Sequence, residues 1–256
     1  MNNLTQFIDQ ERKSKPILLM THVVYAYPDR ATSLSIMRCM LENGVEILEV
    51  QFPFSDPVAD GPTITTACHH ALLQNPTLQQ CLEDMTLLAN EFPNSRVLLM
   101  SYLNPLMAMG MSQLSTQLAN KMPAVIIPDV SVDHADLLSP LTDAGIAPIW
   151  IVTPDMQTAR LTKITEQAAG MIYCVSRKGV TGGQSSINQT LTPYLTKIRQ
   201  HTQLPLAVGF GISTQQDVAA LVGLADVAIV GSALLNAFNQ AGMVGLVAQL
   251  KSLQVR

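Results

Sequence analysis

The sequence predicts a closed (β/α)8, or TIM, barrel, and three observations point to it. Eight short apolar runs rich in Ile, Val and Leu recur along the chain. Most lack the polar alternation of a half-exposed strand, which suits parallel strands buried on both faces. Amphipathic segments of helical period separate these runs. The chain has 256 residues, close to the roughly 250 that eight βα units occupy in such a barrel. A doubly wound sheet would use about five or six strands and a glycine-rich turn after the first, yet residues 21–29 contain no glycine. The expectation is one barrel domain over residues 1–256.

In chain order, residues 3–15 read as an extra helix ahead of the first strand, 16–20. A helix over 32–42 stops at Asn43-Gly44, where glycine tolerates the left-handed conformation that ends helices. The second strand, 47–51, leads to a helix at 78–90, and the third, 97–102, to one at 112–119. Strand 124–127 precedes helix 133–144, and strand 148–152 precedes helix 157–168. Strands 171–175, 206–208 and 227–230 precede helices 188–201, 214–224 and 234–253.

Composition excludes several classes. With 48% hydrophobic and only 13% charged residues, the chain is not of the disordered type. No run reaches the ~18 apolar residues of a membrane span, and the first fifteen residues lack a signal peptide's apolar stretch, so a cytoplasmic protein is expected. The net charge of -4 comes without a basic stripe, so no nucleic-acid partner is expected. Cys39, Cys68, Cys81 and Cys174 form no CxxC pair and read as buried small hydrophobes in a reducing compartment. The five histidines do not cluster, and no metal site is expected. The sparse charge leaves room for an apolar subunit interface.

If the barrel is right, the chemistry sits in the loops after the strands. Alternation along strand two puts Ile47, Glu49 and Gln51 on the inner face and Leu48 and Val50 under the helices. A buried carboxyl is costly unless paired or used. Desolvation favours its protonated form, which suits general acid–base work. The alternative is a Glu paired with a cation inside the barrel. The loop that follows, Phe52 to Pro62, holds three prolines at Pro53, Pro57 and Pro62, a stiff frame for Asp56 and Asp60. Each Asp alone could equally cap a turn. Ser176 to Gly183 reads as a lid or as an ordinary flexible loop. Gly209-Phe210-Gly211 after strand seven and Gly231-Ser232 after strand eight fall where barrels bind phosphate through backbone N–H groups and helix N-termini. His22 could lie at the barrel top but reads more simply as a partnered structural histidine.

The run Glu49-Val50-Gln51-Phe52-Pro53-Phe54-Ser55-Asp56-Pro57-Val58-Ala59-Asp60-Gly61-Pro62 resembles the signature E-L-G-x-P-F-S-D-P-x-A-D-G-P of the tryptophan synthase alpha subunit family. Tyr102-Leu103-Asn104-Pro105, Ile127-Pro128-Asp129, Gly179-Val180-Thr181-Gly182 and Gly209-Phe210-Gly211-Ile212-Ser213 match too, with Gly231-Ser232 in register. The resemblance covers nearly the whole chain. It implies a barrel that cleaves indole-3-glycerol phosphate to indole and glyceraldehyde 3-phosphate beside a beta subunit, in an alpha2beta2 heterotetramer. This chain would need no cofactor of its own; pyridoxal phosphate would belong to the beta subunit.

By the same resemblance Glu49 is the acid–base group and Asp60 the partner of the indole N–H. Tyr173, Phe210, Met100 and Ile229 wall the indole pocket, and Thr181 closes a lid onto Asp60. Gly182, Gly211, Gly231 and Ser232 hold the phosphate, and Pro53 and Asp56 meet the beta subunit. Two departures stand out. The first loop, residues 21–29, is longer than the family's T-A-G-D-P-like turn, carries Tyr25 and Tyr27, and is expected to border the site. Gln51 replaces a glycine and could crowd the indole or bond Glu49. Other readings are a stand-alone indole-releasing lyase, a non-catalytic paralogue that regulates a beta subunit, and another phosphate-binding barrel. Indole-glycerol-phosphate synthase is disfavoured because no lysine lies on a predicted strand.

Overall fold

The structure, a computed structural model, describes residues 2–175, 183–209 and 211–255, the side chains of 183–190 excepted. Eight parallel strands close into a barrel in chain order. They are β1 Leu18–Val24, β2 Ile47–Gln51, β3 Arg96–Met100, β4 Ala124–Ile126, β5 Ala147–Val152, β6 Ile172–Val175, β7 Leu206–Gly209 and β8 Val227–Val230. The ring is sealed where β1 pairs with β8, Leu18 opposite Val227.

The helices are α1 Asn3–Glu11, α2 Arg30–Glu42, α3 Pro62–Leu72, α4 Leu78–Glu91, α5 Leu103–Met109, α6 Met111–Leu118, α7 Ser139–Asp143, α8 Thr158–Gln167, α9 Gly183–Arg199, α10 Gln215–Ala220 and α11 Ser232–Leu253. Among the described residues no helix is long and apolar enough to cross a membrane.

Strand alternation sorts the side chains into two layers. Leu48, Val50, Val97 and Leu99 join the shell under the helices, while Met20, Ile47, Leu98, Ile126 and Ile149 fill the barrel. The extra N-terminal helix plugs one end of that interior, for Leu4, Phe7 and Ile8 of α1 belong to the same inner cluster. Thr5 Oγ1 donates to the Gly170 carbonyl at 2.8 Å. A Cβ on Gly170 would lie 2.9 Å from Ile149 Cδ1, so glycine lets the chain pass close under the barrel floor. Arg96 lays its guanidinium over the Phe7 ring, 4.3 Å from the centroid.

Five elements differ from expectation. β1 continues to Val24 rather than stopping at Met20, pairing residue by residue with β2 from Met20 opposite Ile47 to Val24 opposite Gln51. Thr21 and His22 interrupt the apolar run, but both are buried. Helices α3 and α5 escaped the periodicity reading. The first is rich in Thr and His and starts on Pro62, and the second is a seven-residue turn containing Pro105. The helix expected over 133–144 is a 3-10 turn, Val132–Leu138, followed by α7 with Pro140 in its first turn. Proline tolerates a helix start but not an interior. Finally, α11 kinks at Ala241 and Gly242, the latter at φ +59.

Candidate active site

β2 directs Glu49 and Gln51 into the barrel at the end opposite α1, and both are buried. His22 of β1 stands opposite Glu49 in register, its Nδ1 3.4 Å from Glu49 Oε1. Glu49 Oε2, His22 Nε2 and Gln51 Oε1 are buried without a hydrogen-bond partner among the described residues. Buried polar atoms are almost always partnered, so three such atoms on adjacent inward side chains mark a functional place. Burial opposes a proton on His22, but the negative charges of Glu49 and Asp60 and the Gln51 side chain outweigh it and hold the imidazole above its ordinary value.

Gln51 bonds Asp60 rather than Glu49. Its Nε2 donates to Asp60 Oδ2 at 2.8 Å, and Tyr102 OH donates to the same oxygen at 2.9 Å. Tyr102 in turn accepts the Ala59 N–H at 2.9 Å and stacks on Phe54, centroids 5.0 Å apart. Burial and the Asp60 charge hold the Tyr102 phenol neutral, its pKa raised. Asp60 Oδ2 thus has two donors, and the loop carrying it turns tightly, with Asp60 N donating to the Pro57 carbonyl at 3.0 Å. Pro62 then opens α3 at a position where its missing N–H costs nothing. His69 Nε2 meets the Ser55 carbonyl at 3.1 Å and ties the loop down from α3.

A cleft of about 300 Å³ opens beside these groups, lined among others by His22, Asp60, Tyr173, Ile229, Gly231 and Ser232. Tyr173 keeps its proton, since burial and the charges of Glu49 and Asp60 all disfavour the phenolate. Gly209 packs closely beside it: a Cβ there would lie 3.2 Å from Tyr173 Cε1. Gly211, at φ +64 with open space where a Cβ would be, also lines the cleft.

The two glycine turns are not equivalent. Thr214 and Asp217 close the start of α10 with a capping box, and Asp217 Oδ2 also takes the Ser213 and Thr214 N–H groups. That terminus is already satisfied. The start of α11, at Gly231 and Ser232, has no side-chain cap, and both residues line the cleft, where the partial positive charge of a helix start favours an anion.

The other expected residues fall as follows. Met100, opposite Gln51 in register, packs in the inner cluster and is not among the residues lining the cleft. Asp56 is exposed, whereas Pro53 is buried within the chain and shapes the loop rather than presenting a surface. Thr181, Gly182 and Phe210 lie outside the described residues. Of residues 21–29, His22 lies on β1 and lines the cleft, whereas residues 25–29 are not among its lining. Tyr25 is buried and donates to Asp84 Oδ2 of α4 at 2.6 Å. Arg30 clamps the same carboxylate through two bonds of 2.8 Å. Tyr27 meets His70 edge-on at 6.2 Å and donates to Asn239.

Asp129 accepts the Leu103 N–H at 2.9 Å and so caps α5. Sequence reasoning missed Tyr102 as a site residue, set His22 aside as a structural histidine, and took Gly209 only as part of a phosphate turn. The inward alternation that selected Glu49 applies equally to His22 once β1 is drawn to its full length. Among the described residues, no group of three or more His, Cys, Asp or Glu side chains is placed to hold a metal ion.

A family model described as tryptophan synthase alpha chain matches residues 7–254. The chain belongs to that family. The alpha chain of Syntrophotalea carbinolica is 39% identical over 244 residues, covering 94% of this chain and 95% of that one. The alpha chain of Desulforapulum autotrophicum is 37% identical over 252 residues, covering 98% and 99%. Among solved structures, a tryptophan synthase from M. tuberculosis in an aminoacrylate-bound form superposes with a TM-score of 0.89 at 27% identity, covering 99% of this chain and 98% of that one. A tryptophan synthase alpha chain from Legionella pneumophila gives 0.88 at 26%, covering 99% and 96%. Alpha chains of this family are carbon–carbon lyases of tryptophan biosynthesis that cleave indole-3-glycerol phosphate, and the resemblance read from the motifs holds across the chain.

Proposed function

We propose that this chain cleaves indole-3-glycerol phosphate by a retro-aldol step in which Glu49 moves the protons and Asp60 balances the charge. Glu49 gives a proton to indole C3, and the cation that develops on the ring nitrogen is held by Asp60. The carboxylate then takes the proton of the glycerol hydroxyl, the C–C bond breaks, its electrons return to the ring, and indole and glyceraldehyde 3-phosphate leave. One proton leaves Glu49 and one returns. Gln51 and Tyr102 both donate to Asp60 Oδ2 and so fix the direction of its carboxyl group. The observation that carries this reading is the buried, unpartnered Oε2 of Glu49 next to His22, which with Asp60 lines the cleft.

Tyr173 and Ile229 supply the apolar wall for indole. The phosphate is read onto the backbone at Gly211 and Gly231 and onto Ser232, where an uncapped helix start favours an anion. Thr181, Gly182 and Phe210 take the lid, phosphate and wall roles by resemblance, and Met100 supports the wall from the layer behind. The partner is a beta subunit in an alpha2beta2 heterotetramer, met through the exposed loop that carries Asp56 and is shaped by Pro53. Pyridoxal phosphate belongs to that partner, and the setting is the cytoplasm.

The test is steady-state cleavage by the wild type and Glu49→Gln, each alone and with its beta subunit. Glu49→Gln is expected to lose about 10²- to 10⁴-fold in turnover with an unchanged melting temperature. Wild-type turnover in that variant would remove the assignment.

A further inference from the structure

We propose that His22 is a positioning residue for the acid–base step, and that with Gln51 it ties Glu49 and Asp60 into one proton-sharing unit. The proposal rests on Glu49 and Asp60 being the acid–base pair. Three features carry it. First, His22 and Glu49 face one another across β1 and β2 inside the barrel, Nδ1 to Oε1 3.4 Å, which leaves Oε2 as the oxygen for the substrate. Second, the orientation of Gln51 is fixed by its neighbour. A carboxylate only accepts, so Nε2 must be the end on Asp60, and Oε1 is left as an acceptor. The buried Oε1 and the buried His22 Nε2 are complementary, and neither has another partner among the described residues. Third, room for the imidazole is made by a glycine: a Cβ on Gly231 would lie 3.3 Å from His22 Cβ.

Among the described residues, the charged and titratable groups facing His22 are Glu49 from β2, Asp60 from the loop after it, Tyr173 from β6 and Tyr27 from the loop after β1. From α3 and α11 come apolar Ile64 and Leu234. A histidine between two carboxylates is stabilised as its cation, consistent with its raised pKa, though burial opposes the charge. The unit therefore holds its shared proton at a pH where a lone carboxyl would have lost it. Glu49 gives the proton that it shares with His22 Nδ1 to indole C3 and is left as the carboxylate. The hydroxyl proton returns to that shared position on Glu49 and His22 when the C–C bond breaks. Both side chains end the cycle as they began it.

The experiment is the pH dependence of kcat and KM for cleavage by wild type, His22→Phe and His22→Asn, with Glu49→Gln run in parallel. Expected for His22→Phe is a kcat lower by about ten- to a hundredfold near neutrality, an alkaline limb moved acid-ward by about one pH unit or more, and an unchanged KM. His22→Asn, which keeps a donor but holds no proton, is expected to show the same shifted limb. Wild-type kcat and limb in His22→Phe alongside an inactive Glu49→Gln would overturn the role of His22 alone. An active Glu49→Gln would overturn the acid–base reading beneath it. Should His22 variants not fold, NMR of the ring nitrogens decides in the folded proteins. His22 is expected to titrate at lower pH in Glu49→Gln than in wild type, and identical titrations would overturn the proposal.

Discussion

The two ends of the barrel are built from the same strands and solve opposite problems. At the α1 end, Leu4, Phe7 and Ile8 fill the mouth with apolar surface, and Thr5, whose side chain reaches a backbone carbonyl, has its hydroxyl satisfied. At the far end the inner layer turns polar, and Glu49, His22 and Gln51 each keep a buried atom without a hydrogen-bond partner among the described residues. Burial of apolar surface stabilises by about 25 cal/mol per Å², whereas an unpartnered buried polar atom costs about 1–3 kcal/mol. The comparison teaches where stability and chemistry reside. One mouth supplies the packing that holds the ring closed, and the other keeps the unpartnered polar atoms of the candidate site.

This division can be broken by substitution. The largest effect is expected from Asp60→Asn, which removes the charge facing the developing indole cation. Turnover should fall by about 10³-fold, or ~4 kcal/mol of barrier, with little change in melting. Near-normal turnover would detach Asp60 from the chemistry. Phe7→Ala at the opposite mouth should do the reverse, costing about 3 kcal/mol of stability and leaving kcat intact at a temperature where the protein is folded. A matching loss of kcat would show that the plug also shapes the site. Gly209→Ala should act on both counts more weakly. Its methyl, 3.2 Å from Tyr173 Cε1, forces the ring to move, with about 1–3 kcal/mol of strain and a raised KM, measured by calorimetry and steady-state kinetics.

The barrel was legible because its signal is repetitive. Apolar runs alternating with helical segments survive the loss of any one boundary. Glu49 and Asp60 were legible too, the first from strand alternation and the second from its stiff proline-framed loop. What escaped depended on contacts between segments far apart in sequence. Tyr102 belongs to the site because it reaches Asp60 across 42 positions. His22 reads from sequence as a partnered structural histidine, and the apolar run of β1 stops at Met20, two residues short of it. The capping box that closes the start of α10 could have been read from Thr214 and Asp217 at capping-box spacing, which would have separated the two glycine turns at once.

The smallest expected effect concerns residues 25–29, the part of the long first loop that is fastened to the helical shell while His22 lines the cleft. Asp84, nearly fully buried, receives Tyr25 and both arms of Arg30. Burial alone would raise its pKa, but the hydrogen bonds and charge of Arg30, with Tyr25, lower it below the ordinary carboxylate value. A carboxyl whose folded value is depressed stabilises the fold above its unfolded value, about pH 3.9, and loses that contribution as pH falls through the folded value. Asp84→Asn should therefore cost about 1 kcal/mol at neutral pH, a small loss because Arg30 is half exposed and can be solvated. The difference from wild type in urea melts should shrink below pH ~4, and kcat should not change. If kcat falls instead, the loop that Asp84 anchors does reach the substrate, and the boundary between the stable shell and the reactive mouth lies lower in the barrel than drawn here.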